Sequence, residues 1–294
     1  MGGNRSYASP LRYPGGKANL WKFIEDILYL NDLEGAHLVE LYAGGAGASL
    51  ELLLNGVASK LHLNDLDRNI YSFWHSVLHE TDAFLQRLSA AEITVESWSQ
   101  WRDIYLHADD YSSLDVGFAA FMLNRTNMSG IIATGRPIGG LEQTGKYKID
   151  ARFNRPSLIA RIERIADRGS DITISRNDAE QLLANWDWTD KTFMFIDPPY
   201  YDQGQNLYLN AYEPHHHESI RDALEAIRHQ NWLLTYDNAA PIVTLYSEFR
   251  VCEIDMRYTL NDKRKAKEVA IFPDSLLIPK VLRRGKTKTP VTLC

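Results

Sequence analysis

The residues best suited to chemistry in this chain are Asp197-Pro-Pro-Tyr200. They follow an apolar run, Thr192 to Ile196, that reads as a buried strand. Open α/β sheets bind their ligands at the carboxyl ends of such strands. Two consecutive prolines remove backbone donors and restrict φ, so the turn is stiff. It holds the Asp197 carboxylate and the Pro198 carbonyl as fixed acceptors, with the flat face of Tyr200 beside them. Two acceptors next to an aromatic plane suit a planar amine, such as the exocyclic NH₂ of a nucleobase. For the tetrapeptide alone, a Pro-Pro strand terminator with a capping Asp is the plainer alternative.

Three further segments have suitable residue types. Glu40-Leu-Tyr42-Ala-Gly44-Gly-Ala-Gly47 is a glycine loop between a strand-like and a helix-like segment. Such a loop lets a ligand approach the backbone, and the helix start behind it favours polar ligand groups. The dinucleotide pattern G-x-G-x-x-G needs glycine at position 50, which is Leu50, so a nicotinamide cofactor is disfavoured. Glu40 at the strand end is placed to orient an amino or hydroxyl group; a plain tight turn is the alternative. Asn64-Asp65 ends the next strand, about 20 residues past Gly44, where an acidic side chain typically accepts from a ribose. A helix N-cap is the other use of such an Asp. Pro10-Leu-Arg-Tyr13-Pro-Gly-Gly-Lys17 is a turn that presents Lys17 beside Tyr13, to close over a ligand or to stand exposed.

These residues need a parallel sheet to bring them to one edge, and the chain supplies one. Leu20 to Leu30 has helical spacing, His37 to Tyr42 is a strand, Ala48 to Leu54 a helix, and Leu61 to Asn64 a strand. This βαβ unit starts a doubly wound sheet. From Asp67 to Leu123 the pattern is helical, and Asn124 to Asn154 is a long Gly- and Arg-rich loop. Leu158 to Ala166 is helical. Alternation resumes with strand 171–175, helix 179–184, strand 192–196, helix 218–229, and strands 232–236 and 269–272. The expected fold class is α/β. A Rossmann-like sheet domain, residues 1–69 and 166–294, carries a mostly helical insertion at residues 70–165.

The 294 residues are enough for one large domain or two modest ones, and 45% hydrophobic residues supply a core. Cys252 and Cys294 cannot form a disulfide framework and fit a reducing compartment. No apolar run approaches the ~20 residues that span a bilayer, and Met1 to Pro10 has no signal-peptide core. A cytoplasmic protein without membrane attachment is expected. The net charge of −6 argues against a generally basic surface. Its distribution argues otherwise. Arg257 to Lys288 is densely basic, opposed only by Asp262, Glu268 and Asp274, and a second basic stretch runs from Arg125 to Arg168. That suits a polyanion-binding face, or a solvated face with a loose basic tail. His215-His216-His217 is a run, not a ligand spacing, and reads as a solvated helix start. His62, His75 and His79 have no acidic or Cys partners at metal spacing, so no metal is expected.

In order and content these motifs resemble the Dam-type (class alpha) DNA adenine-N6 methyltransferases, especially phage-encoded members. That family has an N-terminal AGGK-like motif, an E-P-F-x-G-x-G loop, an N-D motif, a target-recognition insertion and then the D-P-P-Y box. Here the series is Tyr13-Pro-Gly-Gly-Lys17, Glu40-Leu-Tyr42-Ala-Gly44, Asn64-Asp65, the insertion, and Asp197-Pro-Pro-Tyr200. Asn177-Asp178 and Tyr236-Asp237-Asn238 resemble later family segments. Leu123-Asn124-Arg125-Thr126 with Ser129-Gly130 resembles the recognition hairpin, and Tyr147 to Asn154 also has a familial look. The chain departs from the pattern at Tyr13, where Trp is commoner, and at Leu41, where the family has proline. Beyond Pro273 it has no match.

The resemblance implies S-adenosylmethionine as cofactor, contacted at Tyr13, Lys17, Asp65 and Asp178, within a set that includes Glu40, Tyr42, Gly44 and Asp197. It implies DNA as partner, met by Asn124, Arg125, Ser129 and Arg136. The roles open to such an enzyme are restriction-modification, phage self-protection and replication marking. Asp197 and the Pro198 carbonyl would accept both N–H bonds of adenine N6 and localise its lone pair, with positioning and electrostatics supplying most of the rate. Pro199 stiffens that turn, and Tyr200 is the aromatic clamp for a flipped base, with Tyr201 and Tyr208 as alternatives. Cytosine-C5 chemistry needs a Pro-Cys nucleophile, which the chain lacks, since Cys252 follows Val251. Cytosine-N4 or RNA-adenine methylation, or an idle DNA-binding relative, are the rival readings. One site per chain suffices, so a monomer is expected. In GATC-methylating relatives the hairpin has an aromatic two residues before its glycine and an arginine three after it. The matching positions here are Met128 and Ala133, so strict GATC specificity is not expected.

Overall fold

The computed structural model describes residues 8–13, 16–201, 214–257, 265–284 and 287–293. The chain runs α1 (Trp21–Leu30), β1 (Ala36–Glu40), α2 (Gly47–Leu54), β2 (Ala58–Asn64) and α3 (Arg68–His79). Four more helices follow: α4 (Thr81–Ala90), α5 (Val95–Leu106), α6 (Ser113–Thr126) and α7 (Arg155–Ala166). Then come β3 (Ile172–Ser175), α8 (Ala179–Asn185), β4 (Thr192–Ile196), α9 (Pro214–Ala226), β5 (Trp232–Asp237) and α10 (Ala240–Leu245). The chain closes with β6 (Arg250–Arg257), β7 (Lys265–Phe272), β8 (Val281–Arg284), β9 (Thr287–Pro290) and β10 (Thr292–Leu293).

Eight strands form one sheet in the order β10-β6-β7-β5-β4-β1-β2-β3. β1 to β5 are mutually parallel, and β7, β6 and β10 extend the sheet antiparallel. β4 is buried at every position and β5 at all but Asp237, as parallel strands covered on both faces must be. From β1 the chain winds outward through β2 to β3, then crosses back to β4 on the other side. The sheet therefore reverses direction between β1 and β4, the place where open α/β sheets leave a crevice.

The helices from α3 to α7 follow β2 and precede β3. Asp67 caps α3 by accepting from the Asn69 N–H at 2.8 Å, and Ile70, Phe73, Trp74 and Val77 form its buried stripe. Phe73 stacks on Phe121 of α6 with centroids 5.7 Å apart. Each such buried ring contributes roughly 1.5–3 kcal/mol through lost water contact. These rings belong to the same apolar cluster as Leu38, Phe193 and Phe195 of the sheet.

Three sequence expectations need correction. The segment after Phe272 is not a loose basic tail: β8 and β9 pair as a hairpin, and β10 pairs with β6. β6 itself was not expected, because Arg250 to Arg257 alternates charged and apolar residues and does not read as a buried run. The helix after the Asp-Pro-Pro-Tyr turn starts at Pro214, ahead of the expected Glu218. No helix among the described residues is long and apolar enough to cross a membrane.

Candidate active site

The carboxyl ends of β4, β1, β2 and β3 bring together, in that order, Asp197, Glu40, Asn64-Asp65 and Ser175. A cleft of about 1200 Å³, including the solvent at its mouth, runs across them. Tyr13, Lys17, Glu40, Tyr42, Gly44, Asp65, Asp178, Asp197 and Pro199 all line it, so every expected cofactor contact faces one space. The loop closed by the Asn127–Pro137 bridge contributes Gly130 to Ala133 to the wall, together with Tyr105 and Ile70.

At one end lies a buried cluster of charged and polar groups. Lys17 Nζ is 3.0 Å from both Asp197 oxygens and 3.6 Å from Glu268 Oε1. Thr235 Oγ1 on β5 donates to Asp197 Oδ1 at 2.6 Å. The Tyr200 hydroxyl donates to Glu268 Oε1 at 2.6 Å and also meets Lys17 Nζ, which lies 4.7 Å from the Tyr200 ring centroid. Lys17 and Glu268 are almost completely buried. The turn after Tyr200 is fixed by the Tyr201 N–H donating to Asp237 Oδ1 at 3.0 Å.

The middle of the cleft is the glycine loop. Gly44 has φ +43°, and a Cβ there would lie 2.8 Å from Cε1 of Tyr13. Only glycine allows the Tyr13 ring to lie this close to the loop backbone. The Gly44 N–H donates to Asp65 Oδ2 at 2.8 Å, and the Asp67 N–H donates to Asp65 Oδ1 at 3.0 Å. Asp65 is thus not the helix cap; Asp67 is. Trp74 Nε1 on α3 donates to the Gly44 carbonyl at 3.0 Å. Asn64 ties three strand ends together: its Nδ2 donates to the Leu41 and Asn177 carbonyls, and its Oδ1 accepts from Ser175 and Asn177. Asp178 caps α8 through the Glu180 and Gln181 N–H groups.

The cleft has an excess of buried acid. Burial pushes the Glu40 carboxyl up to about 8, reinforced by Asp197 and Asp65, with Lys17 pulling the other way. Burial, then the charge of Asp67, raises Asp65 to about 7 against the two N–H groups it accepts from. Burial raises Glu268 to about 7, opposed by Lys17. Glu40 Oε2 and Glu268 Oε2 are buried with no hydrogen-bond partner among the described residues. Carboxyls held this way gain from a ligand that brings positive charge.

The expected DNA contacts are not brought together. Asn124 is wholly buried and bonds to the Arg12 backbone and the Gly130 carbonyl. Arg125 is buried too, its guanidinium donating to the carbonyls of Pro10 and Arg152. Both sit in the last turn of α6 and bond inward, fastening it to the N-terminal segment. Gly130 has φ +75°, and a Cβ there would collide with the Arg12 carbonyl oxygen. Ser129 is half-buried, while Arg136 and Met128 are exposed. Ala133 packs against the core along the cleft.

Tyr200 differs from its expected open face: its ring is buried, beneath Lys17. Neither Tyr200 nor Pro198 lines the cleft. Tyr201 is half-buried against His217. Tyr208, Pro14, Gly15 and much of the basic stretch from 257 to 288 lie outside the residues or side chains described. His217 is not solvated but buried, with Nδ1 2.8 Å from the Tyr236 hydroxyl. Among the described residues no group of three or more His, Cys, Asp or Glu is arranged to hold a metal. The sequence reading missed Thr235 and Glu268.

A parallel sheet reversing at β1, with a glycine loop and an Asp-Pro-Pro-Tyr turn on its carboxyl edge, defines a Rossmann-like methyltransferase fold. A family model described as D12 class N6 adenine-specific DNA methyltransferase matches residues 13–260, so the chain belongs to that family. Methyltransferases of this family use S-adenosylmethionine and act on DNA. No curated protein matches the chain. Among solved structures, protein LPL1258 from Legionella pneumophila aligns over 88% of this chain and 86% of its own. The identity is 10% and the TM-score 0.29, too low to bear on fold or function.

Proposed function

We propose that this chain transfers a methyl group from S-adenosylmethionine to N6 of an adenine turned out of the DNA duplex, at the Asp197-Pro-Pro-Tyr200 turn. The carrying observation is that Asp197 stands in the same cleft as the glycine loop and Asp65, at the end of a buried strand. The cleft suits the cofactor in charge. Its sulfonium and ammonium are cationic, and the carboxyls of Glu40 and Asp65 are raised chiefly by burial, so a bound cation would favour their charged forms. Tyr13, Tyr42, Gly44 and Asp178 would hold the rest of it, with Asp65 accepting from the ribose.

When bound, S-adenosylmethionine supplies an electrophilic methyl carbon. The chain's residues do the remainder. Asp197 accepts an N–H of the adenine amine and so draws the N6 lone pair out of the ring, with the Pro198 carbonyl accepting the second N–H. Thr235 holds Asp197 Oδ1 in place from β5. The N6 proton leaves toward the Asp197 carboxylate, the acceptor already facing it. The work is orientation and fixed charge, with no covalent enzyme intermediate. Helices α3 to α7 and the hairpin at 124–137 supply target recognition, with Arg136 on a phosphate. Asp197, the glycine loop and Asp65 all come from one chain, which suits a monomer.

The test is to supply radiolabelled cofactor with unmodified DNA and RNA, then to digest the product to nucleosides. Label in N6-methyl-2′-deoxyadenosine from DNA is expected. Label in N4-methylcytosine, in RNA alone, or in neither overturns the reading.

A further inference from the structure

Lys17 occupies the place the reaction needs. Its ammonium lies 3.0 Å from both Asp197 oxygens and over the ring of Tyr200. A carboxylate offers about four lone-pair positions. Lys17 and Thr235 take up most of those on Asp197. A base that stacks at Tyr200 and donates to Asp197 must therefore displace Lys17. A buried ammonium does not leave one carboxylate without another to receive it.

The structure holds such a second carboxylate. Glu268 on β7 has Oε1 3.6 Å from Lys17 Nζ and accepts from the Tyr200 hydroxyl at 2.6 Å. Its Oε2 is buried without a partner among the described residues. The groups around it are Lys17 from the segment before α1, Asp197 and Tyr200 from the turn after β4, and Asp237 opposite it on β5. Its partner on β6 is the apolar Ile254.

We propose that Glu268 is a positioning residue that draws Lys17 off Asp197 as the target base enters, while anchoring Tyr200 by its hydroxyl. The inference rests on the methyltransferase reading above and adds to it a residue acting through Lys17 and Tyr200. Glu268 can receive Lys17 only when ionised, and burial raises its carboxyl to about 7. Turnover should therefore fall as pH drops through neutrality.

The test is methyl transfer at saturating cofactor across pH 6 to 9, for wild type, Glu268→Gln and Glu268→Asp. Glu268→Gln keeps an acceptor for Tyr200 and removes the charge. It should lose at least about tenfold in kcat, with the KM for cofactor unchanged, and the acid limb of its kcat should differ from that of wild type. Glu268→Asp keeps the charge and should retain a displaced acid limb. Turnover of Glu268→Gln within about tenfold of wild type, or an acid limb identical in both, overturns the proposal. If Glu268→Gln does not fold, Glu268→Asp decides, and an unshifted acid limb there overturns it. Wild type separates the two levels. If it transfers methyl and Asp197→Ala does not, the underlying reading stands whatever Glu268 does; if wild type transfers none, both fall.

Discussion

Asn124 clasps the backbone of Arg12 from both sides, its Oδ1 accepting the N–H at 2.7 Å and its Nδ2 donating to the carbonyl at 3.2 Å. The clasp joins residues 112 apart in sequence. Arg125 beside it donates to two further backbone carbonyls. Hydrogen bonds from a charged group contribute about 1.5–3 kcal/mol. Arg125→Ala should lower the melting temperature and leave the salt dependence of DNA binding unchanged. Arg136→Ala should do the reverse, lowering the log–log salt slope by about 1 with no thermal effect. Salt titrations of DNA binding with thermal melts check both, and a slope change for Arg125→Ala would return it to the DNA face.

Asp197→Ala should remove methyl transfer by far more than tenfold, about 1.4 kcal/mol of barrier. Circular dichroism should show an intact fold, since the side chain's bonds are to Lys17 and Thr235 within the cluster. Residual activity within tenfold of wild type would remove Asp197 from the chemistry.

Asp65 is held by the N–H groups of Gly44 and Asp67, which aim it along the glycine loop. Asp65→Ala should weaken S-adenosylmethionine binding by roughly 1.5–3 kcal/mol in calorimetry above pH 7. A fall in melting temperature alone, with affinity unchanged, would leave Asp65 a loop brace.

Glu40 at about 8, and Asp65 and Glu268 at about 7, all titrate higher in the folded chain than unfolded. Between about pH 4.5 and 8 the folded state therefore holds more protons, and stability falls as pH rises. The stability these groups lend is complete below the unfolded values and is lost as pH rises through 7 and 8. Without cofactor, the melting temperature should decline over that window, and Glu40→Gln should flatten the decline. A flat or rising wild-type profile would contradict the raised carboxyls.

Ala133 has only a methyl group to offer, and it lies along the cleft. It cannot make the bidentate arginine contact to guanine that discriminates by about 1–3 kcal/mol. DNA modified to completion should show methylated adenines that are not confined to GATC, by sequencing that reads N6-methyladenine. Confinement to GATC would place the guanine contact elsewhere in the hairpin.

The parallel half of the sheet was legible in the sequence because β4 and β5 are apolar runs, and β1 to β3 are short β-type segments, each ending in polar residues at the cleft. The same punctuation marked Asp65, Asp197 and the glycine loop. β6 and β10 were hidden because an antiparallel flank needs no continuous apolar run. Glu268 was hidden for another reason: flanked by Lys265, Lys267 and other cations, it reads as one acid in a basic stretch. Only the pairing of β7 beside β5 brings it to Tyr200. Arg125 failed in the opposite direction, since a motif match gives residue type and spacing but not which way a guanidinium turns.

Among the described residues one apolar cluster runs from Leu38 and Phe195 in the sheet through Trp74 to Phe121 in the helices, and so joins the two as one packed body. An enzyme with a hinge there would close on its target. On the mechanism proposed above the adenine travels to Asp197, so the distortion is borne by the duplex. Turning out a base costs a few kcal/mol, least where it is mismatched or already unpaired. Bending or kinking adds a cost that depends on the steps being deformed, and pyrimidine–purine steps yield most easily. Sequence preference would then come in part from the mechanics of the DNA, at base pairs the protein never touches.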